Sequence, residues 1–193
     1  MKRAKTPTLL LELPLRIDWS QERPLRAQLE AARCLSKALL GEARKRLRGM
    51  GNAPAWNKAR AIPRPHKQER AQPCSARRKT YHCSEYDWHA YAKGARLAWI
   101  ADHLDRTMAQ TLASRASQAA HRVGLGKARR VRFGSCGRGI ESVEGKRNDV
   151  GLRFVLDPGG GDGGFLLWNK EVIPAIIDWR DPVGHHGLRQ QIT

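Results

Sequence analysis

Leu25, Leu29, Ala32, Leu35, Leu39, Ala43 and Leu47 recur at steps of three or four. That spacing stacks side chains along one face of a long α-helix. Trp19 precedes the pattern, and Gly49 and Gly51, tolerant of left-handed geometry, are expected to end it. A second helix is expected from Ser84, whose hydroxyl can cap it with Asp87 three residues on, with Tyr86, Ala90, Leu97, Ala101 and Leu104 on one face. Gly94 weakens its middle. Asp105 or Thr107 starts a further helix through Met108, Leu112, Ala116, Ala119 and Val123, closed by Gly124 and Gly126. Its alanines suit close packing.

Around these helices the period changes. Residues 8–17 alternate Leu9, Leu11, Leu13, Leu15 and Ile17 against Glu12 and Arg16, the period of two of a half-buried strand; Pro14 demotes it to an edge or bulged strand. Beyond Gly126, residues 131–133, 140–143, 151–156, 165–168 and 172–177 read as short strands between Gly-rich turns. A lone opening strand needs partners, and the late strands supply them. The expected fold class is therefore α+β, with a helical insertion between strands of a small antiparallel sheet or barrel. Residues 1–19 would hold the first strand, 20–125 the helical insertion and 126–193 the remaining strands. Within the insertion, residues 52–82 carry Pro54, Pro63, Pro65 and Pro73 among many basic residues. Apart from a short helical piece around 56–61 they are expected to form a mobile basic loop.

Charge bears on partners. The 193 residues hold 36 Lys and Arg against 18 Asp and Glu, a formal net charge of +18. Few partners other than a polyanion suit such a surface, and charge alone does not separate DNA, RNA and an anionic membrane. Residues 20–83 contain sixteen Lys and Arg against four Glu, a net +12 that is two thirds of the excess. The longest apolar stretches, 9–11 and 172–177, fall far short of the roughly 20 residues that span a bilayer. Lys2, Arg3 and Lys5 before Leu9 imitate a signal peptide, but Glu12, Pro14 and Arg16 interrupt it. A cytoplasmic, nucleic-acid-binding protein is expected, with no membrane partner.

Four clusters are candidates for phosphate contacts. Lys127, Arg129, Arg130 and Arg132 flank Val131 and Phe133, so a strand there would present cations on one face; a solvated edge strand kept charged against aggregation has the same pattern. Lys146 and Arg147 follow Glu144 in a turn. Arg44, Lys45, Arg46 and Arg48 close the first helix, where positive charge also complements the helix dipole. Arg77, Arg78 and Lys79 fall in the basic loop and would order on a partner or stay solvated. Trp56, Tyr81, Tyr86, Trp88, Tyr91 and Trp99 are stacking candidates that equally suit a core.

Chemistry-bearing constellations are weak. Cys34, Cys74, Cys83 and Cys136 form no C-x-x-C pair and read as reduced thiols. His82, Cys83, Asp87 and His89 do not fit a zinc spacing. His185 and His186 beside Asp181, and Ser84 with Glu85 and Asp87, lack a nucleophile, base and orienter. The glycines of 159–164 precede no Lys-Ser or Lys-Thr, so they form a hairpin connection and not a P-loop. No catalytic residue, metal or cofactor is expected.

Several ordered pieces resemble TnpB-type transposon proteins, the IS-element OrfB group of RNA-guided DNA nucleases. They are Ser84-Glu85-Tyr86 with His89-Ala90-Tyr91-Ala92, Asp102-His103-Leu104-Asp105, Ala109-Gln110, Gly126-Lys127-Ala128-Arg129-Arg130-Val131-Arg132-Phe133, Ser142-Val143-Glu144-Gly145-Lys146 and Asp181-Pro182. The resemblance spans nearly the whole chain and only the N-terminal part of the family's length. It implies a wedge-like barrel with a recognition-lobe-like helical insertion. It also implies that Lys127–Arg132 and the turn at Lys146 and Arg147 hold guide RNA or an RNA–DNA heteroduplex by shape and phosphate contacts. The family's RuvC-like nuclease domain would follow the last strands, beyond Thr193. The expectation is a truncated or split protein that binds without cleaving, with a separate nuclease half as a further partner. A free-standing basic RNA-binding protein of the ribosome-associated kind is the alternative.

Overall fold

The computed structural model describes residues 12–63, 66–133, 143–144, 151–157, 163–177 and 180. Among them are α1 (Trp19–Asn52), α2 (Pro54–Ala61), α3 (Lys67–Thr80), α4 (Glu85–Arg96), a 3-10 turn (Trp99–Asp102), α5 (Arg106–Gly124), and strands β1 (Arg153–Leu156), β2 (Gly163–Trp168) and β3 (Glu171–Ile176). The strands form an antiparallel sheet in the order β1-β2-β3. The fold class is α+β.

Asp18 starts α1 by accepting from the Gln21 backbone N–H at 2.8 Å, while the Gln21 side chain accepts from the Asp18 N–H. This reciprocal pair satisfies two of the helix's first donors. The predicted face is correct: Leu25, Ala32, Leu35, Leu39 and Ala43 are buried, with Leu29 and Leu47 packed beside them. The glycines do not end the helix. It runs through Gly49 and Gly51 to Asn52, and Ala53, extended at φ −76° and ψ 122°, breaks it because Pro54 follows. Pro54 then occupies the first turn of α2, where its missing N–H costs nothing. At Gly49 a Cβ would stand 3.2 Å from the Tyr81 ring, so the glycine marks a close approach of two elements.

Within residues 52–82 the helical piece expected around 56–61 is present as α2, but the rest, expected as a loop, instead holds α3. Trp56 and Ala59 give α2 an apolar face to bury, and α2 and α3 pack on each other. Tertiary packing here overrides the proline count, as it does for Pro24 inside α1 and Pro73 inside α3.

The capping prediction at Ser84 and Asp87 is correct, and Asp105 caps α5 by accepting from Thr107 and Met108 N–H groups at 2.6 and 2.9 Å. The predicted face of α4 is not. Trp88 and Ala92 are buried, whereas Tyr86 is 88% and Leu97 74% exposed. The largest ring, one helical turn from a small residue, sets the inward face. After Arg96 the chain tightens into the 3-10 turn that buries Ile100 and Leu104.

Along α5, Met108, Ala109, Leu112, Ala113, Ala116 and Ala120 are buried, and α1, α4 and α5 pack together. Their buried side chains join Val131, Trp168 and Ile173 in one cluster, so the sheet shares the helical core. Asn169, in the left-handed region between β2 and β3, donates from its side-chain amide to the His103 carbonyl.

Of the expected opening strand, residues 8–11 lie outside the described residues. The described part makes a single antiparallel bridge, Leu15 to Ala175, with Arg16 N–H donating to Pro174 O and Ile176 N–H to Pro14 O, each at 2.8 Å. In an antiparallel ladder the next donors on either side would be the nitrogens of Pro14 and Pro174. Neither carries a hydrogen, so the two prolines limit the pairing. The Gln21 side chain continues along the same edge by donating to Val172 O. The expected strand at 131–133 is absent; 140–142 lie outside the described residues, and Val143 is not in a strand.

Two substitutions separate tight from open sites. Ala113→Leu, at a fully buried position, should destabilise by roughly 1–3 kcal/mol through overpacking. Gly41→Ala, with no atom within 4 Å of the added methyl, should stabilise α1 by about 0.5–1 kcal/mol. Urea unfolding of both variants checks the pair.

Candidate nucleic-acid interface

The basic residues after α5 are placed by a helix cap. Gly126 sits at φ +72°, its N–H donating to Val123 O at 2.9 Å, and the Lys127 N–H reaches back to Arg122 O at 2.8 Å. These two bonds define a Schellman turn. The Ala128 N–H also bonds Arg122 O. Residues 127 and 128 thus spend their donors on the helix end, not on a strand ladder, and the expected basic strand becomes a cap followed by bends. Val131 is buried and Phe133 exposed, so they do not share an inward face. Lys127, Arg129, Arg130 and Arg132 are all exposed.

The same geometry closes α3. His82, at φ +52°, donates to Lys79 O at 3.0 Å, and the Cys83 N–H to Arg78 O at 2.8 Å. Arg77, Arg78 and Lys79 therefore occupy the last turn of a helix, with Arg77 and Arg78 half-buried and Lys79 exposed. Their charge opposes the negative end of the helix dipole. That complement was expected of Arg44, Lys45 and Arg48, but α1 continues past them and its last turn holds no basic residue. Those three side chains are exposed.

Arg46, in the middle of that cluster, has a different task. Its guanidinium lies 4.6 Å from the centroid of the Trp88 ring and 5.8 Å from that of Tyr91, pairs with Glu42 at 2.9 Å, and donates to His82 O. It ties α1 to α4 and to the cap of α3. Trp88 is therefore a core ring covered by a cation, not a stacking platform. Trp56 is buried too, while Tyr86 and the unpredicted Trp19 are exposed rings. Tyr81 packs at Gly49, Tyr91 is partly buried, and the side chain of Trp99 lies outside the described residues.

Two of the basic clusters meet. Arg78 from α3 and Lys127 from the α5 cap both act on His121, whose pKa is lowered first by partial burial of its ring and then by these two cations. Beside it, Arg60, Val123, Gly126, Lys127, Ala128 and Arg129 line a cleft of about 380 Å³. A Cβ on Gly126 would lie 3.4 Å from the Arg60 guanidinium, which shows how closely the last turn of α2 approaches. Arg60 was missed as a site residue. Its place beside Lys127 depends on the packing of α2, for which the local sequence carries no signal. Lys146 and Arg147 lie outside the described residues; Glu144 before them pairs with Arg115.

The titratable residues near α4 divide into separate pairs. His82 Nδ1 lies 3.4 Å from Asp87, and His89 Nε2 lies 3.0 Å from Ser114 Oγ, which in turn donates to Glu85. The carboxylate of Glu85 faces the same ring nitrogen that meets Ser114. A catalytic orienter would hold the opposite nitrogen, so this trio reads as a polar clamp between α4 and α5. Among the described residues no group of three or more His, Cys, Asp and Glu is placed to hold a metal. Cys34, Cys74 and Cys83 are free thiols, and burial pushes Cys34 and Cys83 above the ordinary thiol range. Cys136, His185, His186 and Asp181 lie outside the described residues. No described helix is long and apolar enough to cross a membrane. Comparison with protein-family models, curated proteins and solved structures finds no match to this chain.

Two predictions test this geometry. His82 holds a left-handed backbone that costs a residue with a Cβ about 1–2 kcal/mol, so His82→Gly should be more stable than His82→Ala by about that amount in urea unfolding. Burial raises the Asp87 pKa, but the Ser84 hydroxyl and N–H and the His82 ring lower it by more, leaving it below the ordinary carboxylate value. The unfolded chain then takes up this proton first as pH falls. The stabilisation is complete above about pH 4, the unfolded value, and is lost through the lower folded value. Asp87→Asn should flatten that part of the stability profile, measured by thermal unfolding between pH 2 and 7.

Proposed function

We propose that the chain is a nucleic-acid-binding protein that holds RNA, or an RNA–DNA heteroduplex, by phosphate contacts. The observation that carries the reading is the set of exposed cations around the α5 cap, Lys127, Arg129, Arg130 and Arg132, within a chain of net charge +18. Among the described residues the arginine–carboxylate pairs involve Arg26, Arg33, Arg46 and Arg115, and none of these four cations. Exposed, unneutralised cations attract a polyanion through counterion release. Arg44, Lys45 and Arg48 on α1 and Lys79 on α3 would widen the same field.

The finer proposal is a TnpB-like arrangement, a recognition-lobe-like helical insertion between strands of a wedge-like barrel, acting in guide-RNA binding without cleavage. The motif resemblance supports it, as does the chain order in which the segment at Leu15 bridges to β3 after five intervening helices. Base pairing of a guide would supply sequence recognition, and the protein would read helix shape and phosphates.

The test is salt-dependent binding to a structured RNA, duplex DNA and single-stranded DNA. For six to ten phosphate contacts, affinity falls roughly 1,000- to 100,000-fold between about 50 and 200 mM salt. Tighter RNA binding at matched salt, weakened by Arg129→Ala, Arg130→Ala and Arg132→Ala together with the fold intact, is expected, and the nucleic acid should be recovered uncut in the presence of Mg²⁺. Equal, weak binding of all three that ignores the triple change would contradict the proposal, and cleavage would contradict the part that concerns catalysis.

A further inference from the structure

The cleft beside the α5 cap differs from the other basic clusters in its shape. Arg60, Lys127 and Arg129 come from two segments far apart in sequence and line one concavity. Three like charges brought together repel one another unless an anion sits between them. No carboxylate lines the cleft, and none pairs with these side chains among the described residues. Helix dipoles account for only part of this. Three carbonyls at the end of α5 are already bonded: His121 O by Leu125 N–H, Val123 O by Gly126 N–H, and Arg122 O by the N–H groups of Lys127 and Ala128. The side chains of Arg60, Lys127 and Arg129 are thus not needed to satisfy the helix end.

The backbone explains why the floor of the cleft is open. Gly126 takes a left-handed conformation and carries no side chain, and Ala128 adds only a methyl group, so at the turn the cleft is bordered by the Arg60 guanidinium and not by bulk from residues 126 and 128. Guanidinium groups contributed by α2 and by the segment after the α5 cap match the oxygens of a tetrahedral anion, and the lysine ammonium adds a compact point charge.

The geometry points to this cleft as the seat of one backbone phosphate of the bound nucleic acid, held by Arg60, Lys127 and Arg129. This rests on the nucleic-acid reading above and assigns it a specific register point. Arg78 and His121 stand next to it, so an anion in the cleft lowers the positive potential around the His121 ring. The other basic clusters then act as a diffuse field, and this cleft fixes where the chain sits along the strand.

The experiment compares the full chain with a cleft variant (Arg60→Gln, Lys127→Gln, Arg129→Gln) and a charge-matched control (Arg23→Gln, Lys93→Gln, Arg106→Gln) whose three residues are exposed elsewhere. Affinity for a single-stranded RNA oligonucleotide is measured across a salt series. Both variants lose three charges, so general attraction falls equally. The cleft variant should lose at least tenfold more affinity than the control, and its slope of log affinity against log salt should be shallower by about 0.7, the loss of one single-strand phosphate contact. Should the cleft variant unfold, the His121 imidazole signals of the wild-type chain, followed by NMR during titration with the same RNA, give the answer: a shift supports the site. Equal losses in the two variants, or RNA binding that leaves His121 unmoved, overturns the cleft while leaving nucleic-acid binding intact. Failure of the wild type to bind RNA at low salt overturns both.

Discussion

Close contact between small residues on α1 and α5, with the Trp88 indole between helices, holds the remaining elements in place. Ala31, Ala32 and Ala43 on α1 and Ala109, Ala113, Ala116 and Ala120 on α5 are each at most 3% exposed. Alanine faces let helices approach closely and leave little room for error, since a single added branch must displace backbone. Once α1 and α5 are fixed, α4 docks by Trp88, Arg46 covers that ring, and the same guanidinium reaches the carbonyl of His82. One side chain thereby couples the helical core to the end of α3. The sheet joins this core through Trp168 and Ile173, and through the Asn169 amide on the His103 carbonyl.

From that core follows the position of the positive charge. Schellman turns end both α3 and α5; the basic residues of α3 lie in the helical turn before its cap, and those of α5 follow its cap. The packing of α2 beside the second turn adds Arg60. Part of the charge is thus stabilising in its own right, at helix ends where cations are favoured. Lys127 and Arg129 lie beyond the last turn, beside a helix end whose His121, Arg122 and Val123 carbonyls are already bonded. A polyanion is the natural complement of that arrangement.

Much of this was legible in residue order, and the failures have physical causes. The apolar face of α1, the caps at Ser84 and Asp105 and the three described strands follow from spacing and capping chemistry. The end of α1 was misplaced because a glycine only permits a turn, whereas the Pro54 after Ala53 enforces one. The helical piece around 56–61 was legible, but residues 67–80 read as loop because the prolines outweighed propensity, although α3 carries Pro73 within it and packs on α2. The basic segment after Gly126 alternates like a strand, and only the left-handed glycine shows that its first donors return to the helix. Of the candidate site, the clusters at Arg77–Lys79 and Lys127–Arg129 were visible as charge. Their meeting at His121, and the contribution of Arg60, arise from tertiary packing alone.

Lysine footprinting by mass spectrometry, with and without a bound structured RNA, tests most directly whether these helix ends form the interface. The account predicts that acetylation of Lys79 and Lys127 is suppressed by RNA while Lys93 on α4 keeps its reactivity. Unchanged labelling of Lys79 and Lys127 under conditions where RNA is fully bound, or protection centred on Lys93, would contradict it.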